Sequence, residues 1–111
     1  AGWHGTWDGR APLALPDGGQ LRLKGAAAFE APMQVTGRQG GERIQLPGRR
    51  HQHALKDCLQ REHLAPWRRR QLPLLFANGQ LQAAADVVLS APLQAWLQQH
   101  DAQLHWRPGG W

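Results

Sequence analysis

The chain has 111 residues, with 13 Lys or Arg against 8 Asp or Glu, six Trp, no Tyr and one Cys. That length suits one domain with one core; no window approaches the roughly 18 uninterrupted apolar residues of a membrane span, and no basic-then-apolar leader pattern opens it. The lone Cys58 excludes an internal disulfide and fits a reducing cytoplasm.

Residues 1–47 read as short strands and turns. Leu13 and Leu15, then Leu21 and Leu23, alternate around Asp17-Gly18-Gly19, which is a hairpin signal. Met33 and Val35, then Ile44 and Leu46, repeat the pattern around Gly40-Gly41, and Pro47-Gly48 stops the last strand. From about His53 the period changes. Leu55, Cys58 and Leu59 follow helical spacing, with Lys56, Asp57, Gln60 and Arg61 on the other face, predicting a main helix that ends near His63 or Leu64.

Pro66 opens a second short helical turn and Pro73 lies beyond its end. Leu74, Leu75 and Phe76 then run into Asn78-Gly79, the strongest hairpin dipeptide, with Leu81 beginning the return. Ser90 caps a helix carrying Pro92 in its first turn, Ala102 to Pro108 forms a final strand, and Gly109-Gly110-Trp111 reads as a frayed tail. The sum is one α+β domain over residues 1–111: antiparallel strands in an irregular β-sandwich, one main inserted helix and one or two short ones.

The basic excess is local. Residues 38–70 hold nine Lys or Arg against three Asp or Glu, a net +6, while the remainder holds four against five, a net −1. Confinement of the whole excess to one segment points to a polyanionic partner. Within it, Arg49, Arg50, His51 and His53 are expected just before a helix N-terminus, where free N–H groups suit phosphate. Lys56 follows one turn on, and Arg68, Arg69 and Arg70 follow the helix beside Trp67, which reads as a core plug. Arg offers a bidentate geometry to phosphate that Lys cannot match.

Catalytic and metal chemistry find no such support. His51, His53, Cys58 and His63 are four candidate soft ligands, yet Cys58 stands five residues from both His53 and His63. Five residues are about 500° of helical rotation, so those groups share no face, and Cys58 falls on the apolar stripe. The same phase argues against a Cys–His nucleophile. Asp57 and Glu62 suit surface pairing with Lys or Arg, and no glycine-rich phosphate loop is present. No catalytic or metal residue is assigned.

The order Gly48-Arg49, Leu55-Lys56, Pro66-Trp67-Arg68-Arg69 and Pro73-Leu74-Leu75 resembles the C-terminal domain of bacterial tRNA(Ile)-lysidine synthetases, closely over about 50 residues. Asp57 and Asp86 depart from that pattern, standing where a basic residue and a glycine are usual. The resemblance implies a fragment of a tRNA-modifying ligase that uses ATP, with magnesium, to attach lysine to the wobble cytidine of a minor isoleucine tRNA with a CAU anticodon. The catalytic PP-loop domain would precede this chain, which would need no cofactor and would grip the tRNA body, acceptor stem included. It further implies RNA contacts from Arg49, Arg50, His53, Lys56, Arg68 and Arg69. His53 replaces a frequent basic residue and is charged only when protonated, so its contribution would vary with pH.

Two other readings make different claims. A structural or dimerisation module would use strand edges and exposed Trp, and would have no RNA affinity. A small metal-dependent enzyme would centre on His51 and His53.

Overall fold

The computed structural model describes residues 3–109. In chain order the elements are β1 (His4–Trp7), β2 (Leu13–Ala14), β3 (Gln20–Lys24), β4 (Met33–Thr36), β5 (Arg43–Gln45), β6 (Gln52–Ala54), α1 (Leu55–Arg61), α2 (Pro66–Gln71), β7 (Leu74–Ala77), β8 (Gln80–Ala84), β9 (Val88–Leu89), α3 (Ala91–Gln99) and β10 (Gln103–Arg107). The larger sheet runs β1-β4-β7-β8-β5-β6, with β9 also on β8; the smaller runs β10-β3-β2. All pairings are antiparallel except β5 on β8.

Strand β7 must satisfy two layers, one on each face of the sheet. Val35, Leu75 and Ala83 face a core shared with Leu21 and Leu104 of the smaller sheet and with Leu93 and Leu97 of α3. Leu74, Leu81 and Ala84 face a second core built with Leu55, Cys58 and Leu59 of α1, Ile44 and Leu72. The larger sheet is thus covered on both sides, as an irregular sandwich with α1 outside it. Strand residues alternate faces with period two, so Leu81 and Ala83 would share a face in a regular β8. They do not, because β7 pairs Leu75 with Ala83 but Phe76 with Leu81. Gln82 is the extra residue of a bulge that reverses the phase.

Ser90 holds that bulge. Its N–H donates to the Gln82 carbonyl at 2.8 Å. Its hydroxyl donates to Gln82 Oε1 at 2.9 Å and accepts from the Leu93 N–H at 3.1 Å, capping α3 as the sequence predicts. Ser90 is fully buried and is the buried polar side chain of the described core.

The two local hairpins are where sequence places them. Leu13 pairs with Leu21, and Ala77 with Gln80 around Asn78 (φ 52°) and Gly79 (φ 76°), a type I′ turn. Four expectations need correction. Gly40 and Gly41 do turn the chain with positive φ, but β4 and β5 do not pair, because the β7–β8 hairpin lies between them. The helix does not begin at His53: residues 52–54 form β6 against β5, and α1 starts at Leu55. It is also shorter than expected, stopping at Arg61 with His63 left-handed (φ 56°), so α3 is the longest helix. Gly109 is not frayed but buried against the Asp17 backbone, where a Cβ would collide; the rest of the tail, Gly110 and Trp111, lies outside the described residues.

Ser90→Ala removes one cap bond and orphans two partners, so it should cost about 1–2 kcal/mol. A thermal melt would then fall by roughly 4–8 °C per kcal/mol, while an exposed control such as Gln98→Ala should move by less than about 0.5 kcal/mol.

Candidate nucleic-acid interface

Strand direction decides which basic residues meet. β4 ends at Thr36, opposite both His4 at the start of β1 and Leu74 at the start of β7. Ala84 at the end of β8 also lies opposite Leu74, and β5 runs parallel to β8. One end of the larger sheet therefore collects Arg38 just after β4, the β5–β6 loop with Arg49 and Arg50, and α2 with Arg68, Arg69 and Arg70 just before β7. Among the described residues, none of these six arginines has a carboxylate within ion-pair distance; the recorded pair is Arg10 with Asp8. The carboxylates near this end are otherwise engaged: Asp17 accepts from the Gly19 N–H, and Asp86 from the Trp106 N–H.

The β5–β6 loop is built by local chemistry. Pro47 and Gly48 (φ 72°) occupy the middle of a type II turn closed by the Arg49 N–H on the Leu46 carbonyl at 3.3 Å. The Gln45 side-chain amide donates to the Arg49 carbonyl, fixing the loop from the strand side. Arg49 and Arg50 are thereby exposed at a hairpin tip. They do not adjoin the helix N-terminus, because β6 separates them from it. The Leu55 N–H is in any case taken by the Glu42 carbonyl at 2.9 Å.

On α2 the three arginines have different roles. Arg68 is half-buried, and one Nη donates both to Gln71 Oε1 at 3.1 Å and to the Gly109 carbonyl at 3.2 Å. It ties the helix to the exit of β10. Arg69 and Arg38 are half-buried, and among the described residues neither Nε has a hydrogen-bond partner. Arg70 is exposed, and lines a cleft of about 150 Å³ with Trp3, Leu15, Pro16, Asp17, Gly37 and Gln71. Trp67 is not a core plug: it is 58% exposed, the exposed large apolar side chain among the described residues.

The remaining candidates stand apart. Lys56 is exposed on α1, which begins at the opposite end of the sheet, where Ala54 pairs with Arg43. His53 is half-buried in mid-hairpin, opposite Ile44. Cys58 is buried on the apolar stripe, its sulfur 3.8 Å from an Arg61 nitrogen. Among the described residues no three His, Cys, Asp or Glu form a group able to hold a metal ion. Nor, among the described residues, is any helix long and apolar enough to cross a membrane.

Sequence reasoning thus missed Trp67 as an outward group and, though it named Arg70 among the arginines that follow the helix, assigned no RNA contact to Arg70 or to Arg38. For the first two a signal existed: positions 67 and 70 are three apart on a predicted helix and share a face. Arg38 carried none, since its place depends on strand order.

Residues 33–106 match the family model described as TilS substrate C-terminal domain. This chain belongs to that family. It is 53% identical over 109 residues to a tRNA(Ile)-lysidine synthase of Xanthomonas campestris pv. campestris strain 8004, covering 96% of this chain and 25% of that protein. A protein of the same name from Xylella fastidiosa strain Temecula1 is 47% identical over 110 residues, with 95% and 25% covered. One from Pseudomonas putida is 37% identical over 100 residues, with 90% and 21% covered. The chain spans about a quarter of the length of the first two. A crystal structure described as a TILS C-terminal domain superposes with a TM-score of 0.63 over 98% of this chain and 100% of its own, at 17% identity, which supports the fold.

The division of labour on α2 is measurable. Arg68→Ala should lower stability by about 1–2 kcal/mol in denaturant unfolding, because the Gly109 carbonyl loses its donor. Arg70→Ala should change it by less than about 0.5 kcal/mol.

Proposed function

We propose that this chain is the substrate-gripping part of a tRNA(Ile)-lysidine synthase, and that it does no chemistry itself. The whole enzyme would attach lysine, at the expense of ATP, to the wobble cytidine of the isoleucine tRNA with a CAU anticodon, in the cytoplasm. ATP and magnesium would be handled by a catalytic domain N-terminal to this chain. The task of the present domain would be to hold the tRNA body, acceptor stem included, so that the distant anticodon reaches that catalytic site.

The observation that carries the reading is the gathering of Arg38, Arg49, Arg50, Arg69 and Arg70 at one sheet end with no ion-pair partner among the described residues. Bases inside an RNA duplex are hard for side chains to reach, so such surfaces read shape and phosphate position. Arg49 and Arg50 at a braced hairpin tip would meet one stretch of backbone. The α2 arginines would meet another. The tip follows β5 and the α2 cleft adjoins the exit of β4, three sheet steps away, or on the order of 15 Å. Lys56 and His53 would serve a ligand long enough to continue along β6, and Arg68 would contribute mainly by holding α2. A chain–chain interface has less to work with, because Trp7 is buried and Trp3, Trp96 and Trp106 are half-buried against the cores.

Polarisation of a labelled stem-loop RNA, titrated with this chain at several salt concentrations, tests the proposal. Neutralising about five phosphates predicts a slope of log K against log salt of roughly −4 to −5. Replacing Arg49 and Arg50 together by Gln should weaken binding at least tenfold and make the slope shallower by about 2, with the fold intact by circular dichroism. A slope near zero contradicts it.

A further inference from the structure

Duplex phosphates explain the arginines but not Trp67. A large apolar side chain left 58% exposed forgoes burial that folding normally secures, and its helix offers no reason for it. α2 carries three arginines and no acid in its first turn, and none of its residues is fully buried. Its orientation is nevertheless fixed, because Arg68 anchors it to the Gly109 carbonyl and Leu72, next in the chain, is fully buried. Trp67 is therefore held out on a braced helix, not left on a loose loop.

Arg70, three residues on, shares the helix face of Trp67, with Cβ atoms about 5–6 Å apart at that spacing. Arg70 is exposed and borders the cleft that includes Trp3 and Gly37. A flat indole beside an unpaired guanidinium is the pair of groups that holds a nucleotide by its two ends, the ring taking the base face and the cation its phosphate. Base faces inside a duplex are covered by their neighbours. An indole can reach only a base that is unpaired or that terminates a helix.

We infer that Trp67, with Arg70, forms a stacking platform for an unpaired nucleotide adjoining the duplex that the arginines hold. The inference rests on the RNA-binding reading above and adds to it a specific contact with a base. Charge selects this occupant over a second copy of the chain: the surrounding segment is net +6, so two copies meeting through this face would bring like charges together.

The test uses this chain and two hairpin RNAs of identical stem, one blunt and one extended by three unpaired adenosines at the 3′ end. The wild-type chain should prefer the extended hairpin, and Trp67→Leu should lose about 5- to 100-fold on that RNA alone. The salt slope should be unchanged, since no charge is removed. Trp67→Phe should keep part of the preference, and RNA-induced quenching of tryptophan emission should fall in that variant. Arg70→Gln should weaken both RNAs and make the slope shallower by about 1. The inference is overturned if Trp67→Leu binds both hairpins like the wild type, or loses equally on both, or if the wild type itself does not distinguish them. It is likewise overturned if Trp67→Leu only dissociates a dimer in sedimentation. Failure of the wild type to bind either RNA would instead remove the RNA-binding reading, and this contact with it.

Discussion

Leu74 and Leu75 are neighbours on β7, and both are fully buried. Adjacent strand residues point to opposite faces, so this strand can exist only with an apolar layer on each side. The smaller sheet and α3 supply one layer and α1 the other. The bulge at Gln82 lets β8 serve both layers with Leu81, Ala83 and Ala84, and Ser90 ties that bulge to the start of α3. Opening either core at a buried leucine would cost about 2–5 kcal/mol, more than any surface contact of the domain. The fold is set by this doubly covered hairpin.

The same constraint makes the basic end. With β7 and β8 wedged between β4 and β5, the ends of β4, β5 and β8 and the starts of β1, β6 and β7 fall together. Arginines separated by as many as 32 residues, Arg38 to Arg70, are thereby brought to one end of one sheet. Repulsion among them is a cost of the folded state, and a polyanion relieves it. Arg68 stands apart in turning inward to the Gly109 carbonyl, where it fixes the helix that presents its neighbours.

Local chemistry was legible in the sequence wherever a turn or cap has one solution. Asn78-Gly79 requires left-handed backbone, Ser90 caps with its own oxygen, Pro66 opens α2, and Cys58 follows Leu55 and Leu59 into the core. The order of motifs from Gly48 to Leu75 was enough to mark the family. What was not legible depends on partners distant in sequence. Gly40-Gly41 looks like a hairpin turn because the alternation around it is correct, yet nothing local says that another hairpin fills the gap. The three residues of β6 are too few to interrupt a helical pattern, so Arg49 and Arg50 read as neighbours of a helix start. Likewise, three successive arginines on α2 look alike until Gly109 takes one of them.

In the proposed function, RNA is met by the arginine end of the larger sheet. Chemical-shift mapping by NMR, with this chain titrated by a stem-loop RNA, tests it most directly. Amide and side-chain signals of Arg38, Arg49, Arg50 and Arg70 should move most, with those of Asp101 and Gln103, at the far end of β10, nearly still. Largest shifts on α3 and the start of β10, with the arginine end unmoved, would contradict it.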